Sequence, residues 1–128
     1  MKLLLDTHAF LWSLLDDPGL SSATREAITL PGNDVFVSTA SFWEIAIKFG
    51  LGKLPLPQEP DRYLPAKRRA AGIDLLKIDE AEVCQVHRLP RLHRDPFDRL
   101  LIAQANCYGL VIATNDPLIG RYPVQTMW

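Results

Sequence analysis

The sequence predicts an α/β fold with a mainly parallel central sheet. Three observations carry that expectation. Leu3-Leu4-Leu5, Val35-Phe36-Val37 and Leu110 to Ala113 are apolar runs of strand length. The longer segments between them carry helical periodicity, and caps and breakers separate the two kinds of element. Strands alternating with helices are joined by crossovers, which make neighbouring strands parallel.

Lys2-Leu3-Leu4-Leu5 is too short for a helix and stops at Asp6, so it reads as a buried strand. Thr7 begins a helix carrying Ala9, Phe10, Leu11, Leu14 and Leu15, which Asp16-Asp17-Pro18-Gly19 ends. Ser21 or Ser22 caps a second helix with Ala23, Ala27 and Leu30, before Pro31-Gly32-Asn33-Asp34 turns the chain. Val35-Phe36-Val37 is the next strand, followed by Ser38, Thr39 and Ser41 as candidate caps. In the helix that follows, Phe42, Ile45, Ala46 and Phe49 share an arc, with Glu44 and Lys48 nearly opposite. Gly50 and Gly52 end it.

Leu54-Pro55-Leu56-Pro57 is a stiff connection, and Asp61 to Ala71 reads as helix, with Pro65 marking either a first turn or a kink. Leu75 to Ile78 reads as a strand. Asp79 and Glu82 have capping-box spacing and open a helix to about Leu89. Asp95 caps, and Pro96 starts, a helix over Phe97 to Tyr108 that Gly109 stops. Leu110 to Ala113 and Val124 to Met127 are the last two strands.

The 128 residues are 48% hydrophobic and 23% charged, which suits one domain and excludes a mainly disordered chain. The net charge of -1 hides an imbalance: ten of the fifteen acids are Asp. Asp6 and His8 break the apolar run at the N-terminus, so neither a targeting segment nor a membrane span is expected, and the location expected is cytoplasmic. Cys84 and Cys107 form no metal-binding or disulfide pattern and read as small buried thiols. Gly-x-Gly-x-x-Gly, Walker, nucleophile-elbow and His-Glu-x-x-His motifs are all missing.

In an open parallel sheet, sites form beyond the carboxyl ends of the strands. Asp6 follows the first strand, and Asp116 follows the Leu110 to Ala113 strand. Glu44 enters from the helix after the second strand, and Asp98 lies in the first turn of the Phe97 to Tyr108 helix. Four acids from separate regions can thus converge at one sheet edge. Gathered carboxylates repel one another, and a divalent cation relieves that repulsion. Mg²⁺ suits carboxylates supplemented by waters, and one or two ions could assist phosphodiester hydrolysis. Thr7, Thr114 and Asn115 are auxiliary candidates through their hydroxyl and amide groups, and Asp95 is a weaker candidate because it is well placed as a cap.

Arg88, Arg91 and Arg94, with Arg99 beyond them, are the candidate phosphate grip, set in a basic stretch from His87 to Arg94. Lys48 either meets substrate or pairs with Glu44. His8, His87 and His93 have no ligand spacing, and the last two are read as part of the basic surface. Trp12 and Trp43 are candidate partner contacts, although aromatics more often build a core.

The ordered blocks Met1-Lys2-Leu3-Leu4-Leu5-Asp6-Thr7-His8, Ser-Phe-Trp-Glu-Ile-Ala-Ile-Lys within Ser38 to Lys48, His93-Arg94-Asp95-Pro96-Phe97-Asp98-Arg99-Leu100-Leu101-Ile102-Ala103-Gln104-Ala105 and Val111-Ile112-Ala113-Thr114-Asn115-Asp116 resemble PIN-domain ribonucleases. They are most similar to the VapC-like toxins of type II toxin–antitoxin systems, and Leu54-Pro55-Leu56-Pro57 resembles that family's middle segment. The resemblance implies a single three-layer α/β/α PIN domain over residues 1–128. It implies RNA hydrolysis with Mg²⁺ or Mn²⁺ at Asp6, Glu44, Asp98 and Asp116, a homodimer, and inhibition by a cognate antitoxin. The competing expectations are a PIN nuclease of RNA maturation or decay, and a non-catalytic RNA-binding module. A response receiver is disfavoured because no lysine follows Lys77, and a haloacid-type phosphatase because Asp6-Thr7-His8 lacks the second Asp.

Overall fold

A computed structural model describes residues 1–128. Five strands form one sheet in the order β3-β2-β1-β4-β5, and every pairing is parallel. They are β1 (Lys2–Leu5), β2 (Asp34–Ser38), β3 (Asp74–Leu76), β4 (Val111–Ala113) and β5 (Thr126–Met127). Six helices connect or flank them: α1 (Thr7–Leu15), α2 (Ser22–Thr29), α3 (Thr39–Gly50), α4 (Pro60–Ala70), α5 (Glu80–Gln85) and α6 (Pro96–Tyr108). Short 3₁₀ turns at Val86–Arg88 and Ile119–Arg121 complete the chain.

The central strand explains the layering. Leu3, Leu4 and Leu5 are all fully buried, yet a strand points successive side chains to opposite faces. Leu3 and Leu5 join a core with Phe10 of α1, Ile45 of α3 and Leu64 of α4. Leu4 joins a second core with Leu101, Ile102 and Ala105 of α6. Burial on both faces is why β1 reads as a continuous apolar run rather than an alternating one. The architecture is the expected three-layer α/β/α arrangement.

Several boundaries differ from expectation for local reasons. β3 ends at Leu76, before Ile78, and the Lys77 carbonyl instead accepts from Gln104 Nε2 at 3.4 Å. Pro60 occupies the first turn of α4, so Pro65 lies inside the helix. The helix opened by Asp79 and Glu82 tightens into its 3₁₀ turn after Gln85. The buried side of α3 is Ala40, Ser41, Glu44 and Ile45, with Ala46 exposed, so the helix turns Glu44 inward. Cys84 is exposed and Cys107 half-buried, contrary to the buried thiols expected. No helix is long and apolar enough to cross a membrane.

Strand order reverses between β1 and β4: the chain leaves β1 for β2 on one side and reaches β4 on the other. A crevice opens beyond the carboxyl ends at such a switch point. The backbone continues the seam past both strands, since Asp6 N donates to Ala113 O at 3.1 Å. That crevice is where the acids meet.

Candidate active site

A cavity of about 190 Å³ lies at this edge, lined by ten residues of which none is hydrophobic. They are the four acids Asp6, Glu44, Asp98 and Asp116, with Thr7, His8, Lys48, His93, Asp95 and Asn115. Each acid is held by a different local device.

Asp6 caps α1: its Oδ1 accepts from Ala9 N at 2.7 Å. The cap and the cavity wall are thus one carboxylate, and the residue is 5% exposed. Burial pushes its pKa up, against the opposing pull of Thr114 and Ala9. Thr114 stands buried behind Asp6, where its hydroxyl accepts from Asp116 N at 3.0 Å. Asp116 Oδ1 in turn accepts from Leu118 N at 2.9 Å.

Glu44 is buried, and its two oxygens have separate partners. Thr7 Oγ1 donates to Oε1 at 2.7 Å, and Lys48 Nζ meets Oε2 at 2.7 Å. Thr7 Oγ1 is also 3.0 Å from Ser41 Oγ. Asp95 caps α6 as expected, its Oδ1 accepting from Phe97 N at 2.9 Å and Asp98 N at 3.4 Å. This turns Asp98 toward the cavity from the first turn, where the helix dipole favours negative charge. Even so, burial raises the Asp98 carboxyl to about 7, helped by the charges of Asp95 and Glu44 and opposed by His93.

His93 was read as surface, and the structure places it elsewhere. Its Nε2 lies 2.9 Å from Asp98 Oδ2 and 3.6 Å from Asp116 Oδ2. The sequence offered one usable signal: His93 stands two residues before the Asp95 cap, where the chain crosses the sheet edge to enter α6. Tyr122, also outside the expected set, accepts from His93 N at 2.7 Å.

The basic residues gather next door. Arg91, Leu92, His93, Arg94 and Arg99 line an open groove of about 550 Å³, which shares His93 with the acidic cavity. Arg91 and Arg94 are exposed. The Arg99 guanidinium is instead committed to backbone carbonyls of residues 86–90 and to Tyr122. Arg88 is exposed at the end of its 3₁₀ turn and lines neither space. Trp43 is 59% exposed with its ring edge-on to Phe97, and Trp12 packs against His8 and Trp128.

The donor chemistry fits a hard divalent cation. Carboxylate oxygens dominate the cavity, and His93, Asp98 and Asp116 offer ligand atoms that all lie within 4.8 Å of one another. Burial, with the nearby charges of Asp95 and Glu44, disfavours the charged Asp98 carboxylate, and a cation would offset that cost.

The PIN domain family matches residues 3–124 of this chain. Ribonuclease VapC16 of Mycobacterium tuberculosis (strain ATCC 25618 / H37Rv) is 41% identical over 58 residues, which is 45% of this chain and 41% of that protein. That match thus spans less than half of the relative. Among solved structures, VapBC2 from Rickettsia felis bound to a DNA fragment from their promoter has a TM-score of 0.73 at 14% identity, covering 99% of this chain and 98% of that one. DNA-bound VapBC from Salmonella typhimurium has a TM-score of 0.69 at 19% identity, covering 99% and 97%. At those identities the likeness is one of fold. The match over nearly the whole sequence, with the same fold and an acidic crevice at the switch point, shows that the chain belongs to the PIN domain family.

Proposed function

We propose that this chain is a divalent-metal-dependent endoribonuclease acting as the toxin of a toxin–antitoxin pair. The observation that carries the reading is the polar cavity itself, where Asp6, Glu44, Asp98 and Asp116 converge from four separate elements. These four residues hold Mg²⁺ or Mn²⁺, as one or two ions. The bound cation supplies positive charge to the phosphodiester and lowers the pKa of water.

The chain's own groups do the rest. Thr7 fixes the orientation of Glu44, Thr114 holds the Asp116 backbone N–H, and Asn115 completes the wall. Burial raises the Asp98 carboxyl to about 7, and a cation held there would favour its charged form. Arg91 and Arg94 face the adjoining groove, where guanidinium groups grip RNA phosphates in pairs of hydrogen bonds. Lys48 adds positive charge to the cavity wall, and Arg88 lies outside both spaces. The relative's name, ribonuclease VapC16, and the VapBC complexes of the same fold support nuclease chemistry and an antitoxin partner. A homodimer, residence in the cytoplasm and a single domain over the whole chain complete the reading.

Sequencing RNA 5′ ends after brief induction, beside an Asp98→Asn strain, tests it. Reproducible cleavage positions that vanish with Asp98→Asn are expected, as is growth arrest relieved by the partner protein. Identical end profiles in the two strains would sink the nuclease assignment. Cleavage without arrest would favour a PIN nuclease of RNA maturation or decay.

A further inference from the structure

The segment from Val86 to Arg94 has little regular structure, yet one side chain ties it down. Arg99 follows Asp98 in α6 and turns its guanidinium back beneath this segment. Its Nη1 donates to Pro90 O at 2.8 Å and to Tyr122 Oη at 3.1 Å. Its Nη2 donates to Val86 O at 3.1 Å and Leu89 O at 3.4 Å. Only a planar fork of several donors can satisfy this many acceptors from one position. Tyr122, 3% exposed, then accepts from the His93 backbone N–H.

These contacts fix where the imidazole sits. Nδ1 accepts from Asp95 N at 3.3 Å, which leaves the proton of the neutral ring on Nε2. That nitrogen is enclosed and makes no aligned hydrogen bond, although two carboxylate oxygens crowd it. Those oxygens belong to Asp98 of α6 and to Asp116 beyond β4, elements with no backbone link at this point. The ring is therefore wedged between two acids by the segment that carries it.

We propose that Arg99 and Tyr122 are positioning residues for the metal centre, holding His93 so that its imidazole sets the spacing of Asp98 and Asp116 before a cation arrives. The inference rests on the metal-centre reading above. It gives Arg99 a use different from the RNA contact expected of it. Groups that orient ligating carboxylates are worth about 10–100-fold in metal affinity, so the relay has a measurable consequence without any RNA.

The test is Mn²⁺ binding by isothermal titration calorimetry at one fixed pH, with the fold of each variant checked by circular dichroism. Tyr122→Phe removes only the hydroxyl and should weaken Mn²⁺ binding by about 10-fold or more. His93→Ala should do the same, and His93→Gln, whose amide keeps a donor, should recover most of the loss. Arg99→Lys retains the charge without the fork, and it decides the matter should Tyr122→Phe not fold. Wild-type affinity in Tyr122→Phe (or in Arg99→Lys) and in His93→Ala overturns the relay. Equal loss in His93→Ala and His93→Gln, with Tyr122→Phe unchanged, overturns it in favour of direct ligation by His93. A wild-type protein that binds no Mn²⁺ overturns the metal-centre reading itself.

Discussion

The acidic cavity and the basic groove share His93 but are built in opposite ways. Each acid sits at a strand end, on a helix face or in a first helical turn, and three of the four accept a bond from a backbone N–H, a hydroxyl or an ammonium group. The groove is lined by exposed Arg91 and Arg94 on a loop whose shape depends on Arg99. Cation ligation requires oxygens held in a small volume, and rigid elements supply that. A polyanion of varied shape is better met by mobile guanidinium groups around an open space. Charge of one sign is fixed, and charge of the other is left adaptable.

Substitutions on the two sides should therefore fail differently. The largest effect is expected on the fixed side. Asp116→Asn should lower the cleavage rate at saturating RNA by about 10³-fold, corresponding to about 4 kcal/mol of lost transition-state stabilisation. Steady-state kinetics with RNA in saturating excess would measure it. A rate within threefold of wild type would break the comparison. On the adaptable side, Arg91→Ala with Arg94→Ala should raise KM while sparing the saturated rate. The salt dependence of RNA binding, followed by fluorescence anisotropy, should flatten by about 0.7 in logarithmic slope per arginine. An unchanged slope would remove both arginines from the RNA contact.

The pH dependence sharpens the fixed side further. The Asp98 carboxyl titrates at about 7 in the fold, above its ordinary 3.8. Its contribution to the stability of the metal-free protein is fully present below the unfolded value and is lost as pH rises through about 7. Asp6, whose pKa is also raised, contributes in the same direction. Without metal, thermal unfolding should occur at lower temperature at pH 8 than at pH 6. Mn²⁺ affinity should run the other way, rising as pH passes 7, because the ion competes with the Asp98 proton. Calorimetry at the two pH values checks both signs. The smallest effect is expected of Lys48→Met. The Lys48 side chain is 45% exposed, so losing its contact to Glu44 should cost about 0.5 kcal/mol or less in a denaturant titration.

Much of this was legible in the sequence because local chemistry specifies it. The doubly buried Leu3-Leu4-Leu5 run, the Asp95-Pro96 start of α6 and the Gly109 stop with its φ of 66° all depend on neighbours within a few residues. The positions of Asp6, Asp98 and Asp116 were legible for the same reason, as each is tied to the end of an element. His93 was not. Its direction depends on Tyr122, 29 positions away, and on an arginine whose fork closes a loop, and no periodicity reports such contacts. The burial of Glu44 was likewise hidden, since α3 turns a polar face toward the sheet edge while Ala46, in its apolar arc, stays exposed. Cys84 is exposed although α5 packs on α6 through its buried Glu82.

The central claim is that the acidic edge cleaves RNA through a bound cation, and removing and restoring that cation tests it most directly. Purified protein incubated with RNA should cleave it in Mg²⁺ or Mn²⁺, stop on addition of excess chelator, and resume when the cation is returned in excess. Cleavage that continues undiminished in chelator would contradict the account.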